Sequence, residues 1–267
     1  MMRAIWVLIL GMAIVLGSGG GGQAEERPRG HLEELQYRVD LGVWQDVARV
    51  HLSLAQLEPG RYRAEFAGAA QGAWKLLSRW LPERYETEMA LEAGRFKPLV
   101  YREEFMCKGR HISKEYRFDY SRGVMEVWRG VDGRKPVKDW QGPLQETVYD
   151  PLTLFYNLRL GAMGPLTPGQ TLKVPVISDP KPLEMVINLG PETPQGRKVM
   201  LTVRSKDGEA EDGPYFLFCT SQGVPQTAWI RVMGFVKLSG ELLNPGEIRK
   251  DGFPGVPQLS LHPRAIR

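Results

Sequence analysis

Residues 98–129 read PLVYREEFMCKGRHISKEYRFDYSRGVMEVWR. They hold three runs rich in aromatic and branched side chains: Pro98 to Cys107, His111 to Tyr120 and Val124 to Arg129. Lys108-Gly109-Arg110 and Ser121-Arg122-Gly123 separate them as tight turns. Short strands joined this way pair antiparallel, as a meander. Toward the N-terminus, Leu35, Tyr37, Val39, Leu41 and Val43 alternate with polar residues, the period of a half-buried strand. Val50, Leu52 and Leu54 continue the pattern, Arg61 to Ala69 follows the turn Glu58-Pro59-Gly60, and Arg84 to Leu91 precedes Ala93-Gly94. After residue 170 strands are expected at Thr171 to Ile177, Leu183 to Leu189, Arg197 to Arg204, Pro214 to Thr220, Gln226 to Val232 and Phe235 to Leu242. A polar segment, Gly130 to Pro143, is not assigned to a strand. About a dozen strands in one sheet must curl or close. The fold class is therefore mainly β: a large curved antiparallel sheet or barrel-like protein with about two short helices.

The first helix is expected over Gly72 to Leu81, where Trp74, Leu77 and Leu81 fall at helical spacing and Pro82 stops the chain. With Trp80 it is apolar on more than one face. Two readings follow: a plug of the core, or a lid over an apolar cavity in which Trp74, Leu77 and Trp80 touch the ligand. The second helix is better marked. Asp150 stands at the N-cap position, Pro151 at the first helical position, and Leu152, Phe155, Tyr156 and Leu160 form its stripe. As a simple cap, Asp150 is expected to contribute about 1 kcal/mol.

The N-terminus has the pattern of a secretory signal peptide. Arg3 precedes an apolar run, Ala4 to Leu16, that is shorter than the roughly 20 residues a spanning helix needs. Gly22-Gln23-Ala24 fits a cleavage site, so residues 1–24 are read as signal peptide, 25–243 as one antiparallel β domain and 244–267 as an irregular Pro/Gly-rich basic tail. An uncleaved N-terminal anchor is the alternative. The expected location is the periplasm, membrane-proximal but not membrane-spanning after cleavage. A formal net charge of +4 over 267 residues is mild, and with export it argues against a nucleic-acid partner.

Residues for metal or nucleophile chemistry are few: four His and two Cys. No Cys/His cluster or nucleophile elbow occurs, so no catalytic residue, metal site or cofactor is assigned. Cys107 and Cys219 either form one long-range disulfide or remain two separate thiols. Glu103 and Glu104 are neighbours in a strand and face opposite sides, so they do not converge as an acid–base pair; both are read as solvated charges.

Several runs carry a family resemblance. They are Tyr37-Arg38-Val39-Asp40-Leu41-Gly42-Val43, Gly60-Arg61-Tyr62-Arg63-Ala64, Gln71-Gly72-Ala73-Trp74, Pro98 and Tyr116-Arg117-Phe118-Asp119-Tyr120. Most specific is the run from Tyr149-Asp150-Pro151-Leu152 through Asn157-Leu158-Arg159. Over residues 35 to 243 the chain resembles an exported bacterial family known as domain of unknown function 3108. The sequence departs from it at Trp229-Ile230-Arg231-Val232-Met233, where that family often has an acidic residue before Arg-x-Pro-Val. The resemblance implies a periplasmic, mostly antiparallel β protein and no catalytic residues. In its Leu-Arg pair, Arg159 is either a fixed polar contact or an ordinary solvated side chain. The expected function is non-enzymatic: binding of a lipid or other hydrophobic ligand, or of an envelope protein. The alternatives are a structural or assembly factor acting through its surface, and a hydrolase.

Overall fold

The computed structural model describes residues 31–73, 83–107, 109–159, 161–164, 167–177, 182–193, 196–204, 210–219, 224–232 and 236–244. The expected signal peptide, the helix bearing Trp74, Leu77 and Trp80, and the tail beyond Asn244 lie outside them.

The strands are β1 (His31–Leu41), β2 (Trp44–Glu58), β3 (Arg61–Ala70), β4 (Glu83–Glu92), β5 (Arg95–Cys107), β6 (Arg110–Asp119), β7 (Val124–Val131) and β8 (Val137–Pro143), then β9 (Thr171–Val176), β10 (Leu183–Thr193), β11 (Gly196–Arg204), β12 (Ala210–Cys219), β13 (Pro225–Val232) and β14 (Val236–Leu242). They form one 14-stranded antiparallel sheet, ordered β8-β7-β6-β5-β4-β3-β2-β1-β14-β13-β12-β11-β10-β9. It is two meanders joined edge to edge where β1 pairs with β14, Tyr37 opposite Leu242 and Leu41 opposite Leu238. The polar segment 130–143 contributes β8, one of the sheet's two edges. As an edge strand with mostly exposed side chains, β8 lacks the apolar alternation that marks the others.

The edges β8 and β9 do not pair with each other among the described residues. The chain between them crosses the gap instead. Leu144 N–H donates to the Gly123 carbonyl at 2.8 Å beside β7, and Tyr149 exchanges backbone hydrogen bonds with Pro175 and Ile177 at 2.9 and 3.0 Å beside β9. Immediately after this stitch comes the helix α1 (Pro151–Arg159). It is buried from Pro151 to Asn157 and packs on β3, β4 and β5, inside the curl of the sheet.

The two faces of the sheet differ as the alternation requires. The inner face is apolar and aromatic, with Leu35, Leu52, Phe66, Tyr85, Tyr101 and Tyr116 all buried. The outer face of β3–β8 is ionic. Arg102 reaches Glu86 at 2.8 Å, Glu88 at 3.1 Å and Glu115 at 2.9 Å. Arg84 pairs with Glu65 at 2.8 Å, and Lys138 with Glu126 at 2.6 Å. A barrel that crosses a membrane turns its apolar side chains outward. This face does the reverse and suits water. Among the described residues, no helix is long and apolar enough to cross a membrane.

Candidate ligand-binding interior

The helix packs on β3, β4 and β5, inside the curl. At its start, Asp150 Oδ1 accepts from the Leu152 and Thr153 amides at 2.9 and 3.0 Å. Its Oδ2 accepts from the hydroxyls of Thr153 at 2.5 Å and Thr87 at 3.1 Å. Asp150 is thus a buried junction between α1 and β4 as well as an N-cap. Burial pushes its carboxyl up, while these four hydrogen bonds act in the opposite direction. Farther along, the Asn157 amide grips Phe96 on β5, accepting from its N–H and donating to its carbonyl, both at 2.8 Å. The β4–β5 turn presents Phe96 there, with Ala93 and Gly94 both at positive φ, 49° and 76°. At the last residue, Arg159 pairs with Glu33 of β1, both buried. Burial pulls the Arg159 guanidinium down to about 10.

These contacts orient the helix. It runs from Thr87, in the middle of β4, toward the end of the sheet that holds the β4–β5 turn and the start of β1. That end is the helix end. At the other, far end the chain leaves β3 after Ala70 and returns at Glu83.

Strand register lays the inner face out in rows, because directly opposed residues share a face. One row is Ala64, Thr87, Tyr101, Tyr116 and Val127, and α1 begins against it. The next row toward the far end is Phe66, Tyr85, Glu103, Lys114 and Arg129. Ring centroids step across the wall, Phe66 to Tyr85 at 5.8 Å, Tyr85 to Tyr101 at 6.4 Å and Tyr101 to Tyr116 at 5.7 Å. Beside this aromatic wall stand the charges. Glu103 is 7% exposed and Lys114 3% exposed. The Lys114 ammonium lies 5.8 Å from the Phe105 ring centroid. Arg129 is half-buried, and its Nε is buried with no hydrogen-bond partner. Burial, with Glu103 nearby, pushes the Tyr101 hydroxyl well up.

Glu103 is therefore not a solvated charge. It has the parity of Tyr101 and Phe105 and turns inward, while Glu104 turns outward and is exposed. The same parity rule, applied to Ile112, Lys114, Tyr116 and Phe118 on β6, marks Lys114 as an inner residue. That was the available signal.

No disulfide joins Cys107 to Cys219. Cys107 ends β5 at the far end, and Cys219 ends β12 at the helix end, opposite Pro225. With β4, β3, β2, β1, β14 and β13 between their strands, they stand at opposite ends of the sheet. Of the histidines, His51 is on the outer face, 2.9 Å from Glu34. Among the described residues no group of three or more His, Cys, Asp or Glu side chains could hold a metal.

No curated protein matches the chain. A solved structure of a beta-barrel-like protein of domain of unknown function DUF1849 from Brucella abortus is similar over 80% of this chain and 95% of its own, at 9% identity and a TM-score of 0.46. The model of a family described as protein of unknown function (DUF3108) matches residues 36–220, well over half of the sequence, and the chain belongs to that family.

Proposed function

We propose that the protein is exported to the periplasm by a signal peptide cleaved after Ala24, and that there, without catalysing a reaction, it binds a ligand with an apolar chain inside its curled sheet. The observation that carries this reading is the aromatic inner wall of the curled sheet. Phe66, Tyr85, Tyr101 and Tyr116 step across it from the start of α1 toward the far end, with the inward-facing Glu103 and Lys114 beside them. Concave, mostly apolar interiors with a few convergent polar groups are the usual form of small-ligand sites. The ionic outer face suits a carrier that works in water. The test is native mass spectrometry of the protein purified from its own periplasm, with its mature N-terminus sequenced. Expected are a start at Glu25 and a co-purifying lipid-like mass that denaturation releases. A chain still beginning at Met1, or mass peaks of bare protein together with no binding of any alkyl probe, overturns the proposal.

A second reading, a surface-acting factor of the envelope, has one observation in its favour. Val43 and Trp44 at the tip of the β1–β2 hairpin are 86% and 53% exposed. Replacing both with Ser would abolish a partner contact and leave alkyl-probe binding intact.

A further inference from the structure

We infer that the far end of the sheet docks on a lipid surface along the arc from the β1–β2 hairpin to the β7–β8 turn, with Val43 and Trp44 entering it. This goes beyond the carrier reading and stands without it. Among the described residues the three most exposed large apolar side chains, Val43, Val137 and Trp44, are all at the far end. The hairpin turns in two residues, with Leu41 opposite Trp44 and Gly42 at φ 59°. Glycine at the first place sets such a turn. The second place asks for no apolar side chain, yet Val43 stands there in the open. The tip is also braced. The Gly42 N–H donates to the Lys237 carbonyl at 2.7 Å, and the Asp46 N–H to Asp40 Oδ1 at 2.8 Å. Arg49 grips the Asp46 carboxylate with two bonds of 2.6 Å. On one side the hairpin overhangs its neighbour: β3 pairing ends with Ala70 opposite Ala48, and the Gln71 amide reaches only as far as Val47.

Area and charge choose the occupant. A stable protein interface buries on the order of 1,200–2,000 Å², far more than a two-residue tip offers. A bilayer interface accepts such a tip, with the Trp ring at headgroup depth and its aliphatic neighbour at the acyl boundary. The acids near the tip are engaged: Asp46 by Arg49, and Asp40 by Arg38, which also meets Glu241. The β7–β8 turn supplies a second contact. There Val137 follows the exposed Arg134 and Lys135, while Asp132 is engaged by Arg110 at 3.0 Å. Apolar contact joined to exposed cations suits an anionic lipid surface, and one weak anchor needs a second to hold a protein there. The acids Asp207 and Glu209 belong to the β11–β12 connection, outside this arc.

The experiment is flotation of the mature full-length protein with vesicles of phosphatidylethanolamine and phosphatidylglycerol, and with phosphatidylcholine vesicles, each carrying brominated acyl chains that quench Trp emission. Wild type should float with the anionic vesicles, more weakly with phosphatidylcholine, and lose part of its Trp emission. Val43→Ser with Trp44→Ser should weaken flotation at least about tenfold, the worth of burying one such side chain. Trp44→Phe should keep most of the flotation and lose the quenching. Arg134→Gln with Lys135→Gln should bring binding to anionic vesicles down toward that of phosphatidylcholine. These side chains are exposed, so the urea midpoint should move little in any variant. Wild type that floats with neither vesicle, or flotation that survives loss of both Val43 and Trp44, overturns the inference. So does self-association in light scattering that needs Trp44 and occurs without vesicle binding, which would give the tip to a second copy of the chain. Alkyl-probe binding is measured separately, so failure of the carrier reading and failure of this inference are told apart.

Discussion

Asn157 treats Phe96 as a neighbouring strand would. Its side-chain amide donates to the Phe96 carbonyl and accepts from the Phe96 N–H, both at 2.8 Å. A helix has no free backbone groups along its side, so it cannot join a sheet by backbone pairing. The carboxamide of asparagine has the same donor and acceptor as a peptide, and here it supplies that pairing inside the core. Asn157→Ala strands two buried backbone groups, each costing about 1–3 kcal/mol. The expected loss is about 2–6 kcal/mol, read as a lower urea midpoint with an unchanged slope. Asn157→Asp keeps the acceptor, loses the donor and buries a charge, so it should be at least as damaging.

Asp150 joins a cap to a core junction, and its removal should cost more than a cap alone. Losing the two amide bonds costs about 1 kcal/mol. Taking the acceptor from the buried Thr153 hydroxyl, and leaving the Thr87 hydroxyl with the Val100 carbonyl at 3.3 Å, adds about 1–3 kcal/mol. Asp150→Ala should therefore lower stability by about 2–4 kcal/mol in equilibrium denaturation. Its pH dependence has a definite sign. Burial raises the folded value above the ordinary 3.8. The folded chain thus holds this proton more tightly than the unfolded chain, so the group's contribution is complete below pH 3.8 and is lost as pH rises through the folded value. The advantage of wild type over Asp150→Asn should be widest in acid and narrow toward neutrality. A gap that widens with rising pH would contradict the buried-carboxyl account.

The Arg159–Glu33 pair ties the last residue of α1 to the first strand, both side chains buried. Such pairs contribute little net stability, yet halving one is costly, about 3–5 kcal/mol, because a charge is left buried alone. Glu33 is already short of contacts, since its Oε1 has no hydrogen-bond partner. Arg159→Met should therefore destabilise strongly, and Glu33→Leu combined with Arg159→Met should recover much of the loss. A double variant as unstable as the sum of the singles would show that the two side chains are not coupled.

The strands were legible because their apolar period is set by one buried face, and the α1 cap because Asp-Pro at a helix start has a local cause. β8 was not, since an exposed edge strand needs no apolar face. The anchors were not legible either. Thr87, Phe96 and Glu33 meet α1 only because a curled sheet brings β4, β5 and β1 to it. Charge alone misled at Glu103, whose parity with Tyr101 and Phe105 carried the better information.

Cys219 provides a check on the sheet order itself. The surrounding protein pushes its thiol up to about 12. At pH 8 the thiolate is then scarce, and only the thiolate reacts with alkylating reagents. Native protein should therefore label very slowly with iodoacetamide at Cys219, and quickly once urea unfolds the chain. Because the folded value lies above the ordinary 9.0, this thiol's contribution to stability is complete below pH 9.0 and is lost as pH rises toward about 12. Cys219→Ala should accordingly flatten the alkaline side of the stability profile. Since β5 ends at the far end and β12 at the helix end, the protein should also keep two titratable thiols when denatured without reductant, even after purification from an oxidising compartment. A zero thiol count, with a Cys107–Cys219 peptide in the unreduced digest, would mean that the order of β12 relative to β5 is wrong. Two thiols together with slow native labelling of Cys219 would place that residue where the sheet puts it, against the core at the helix end.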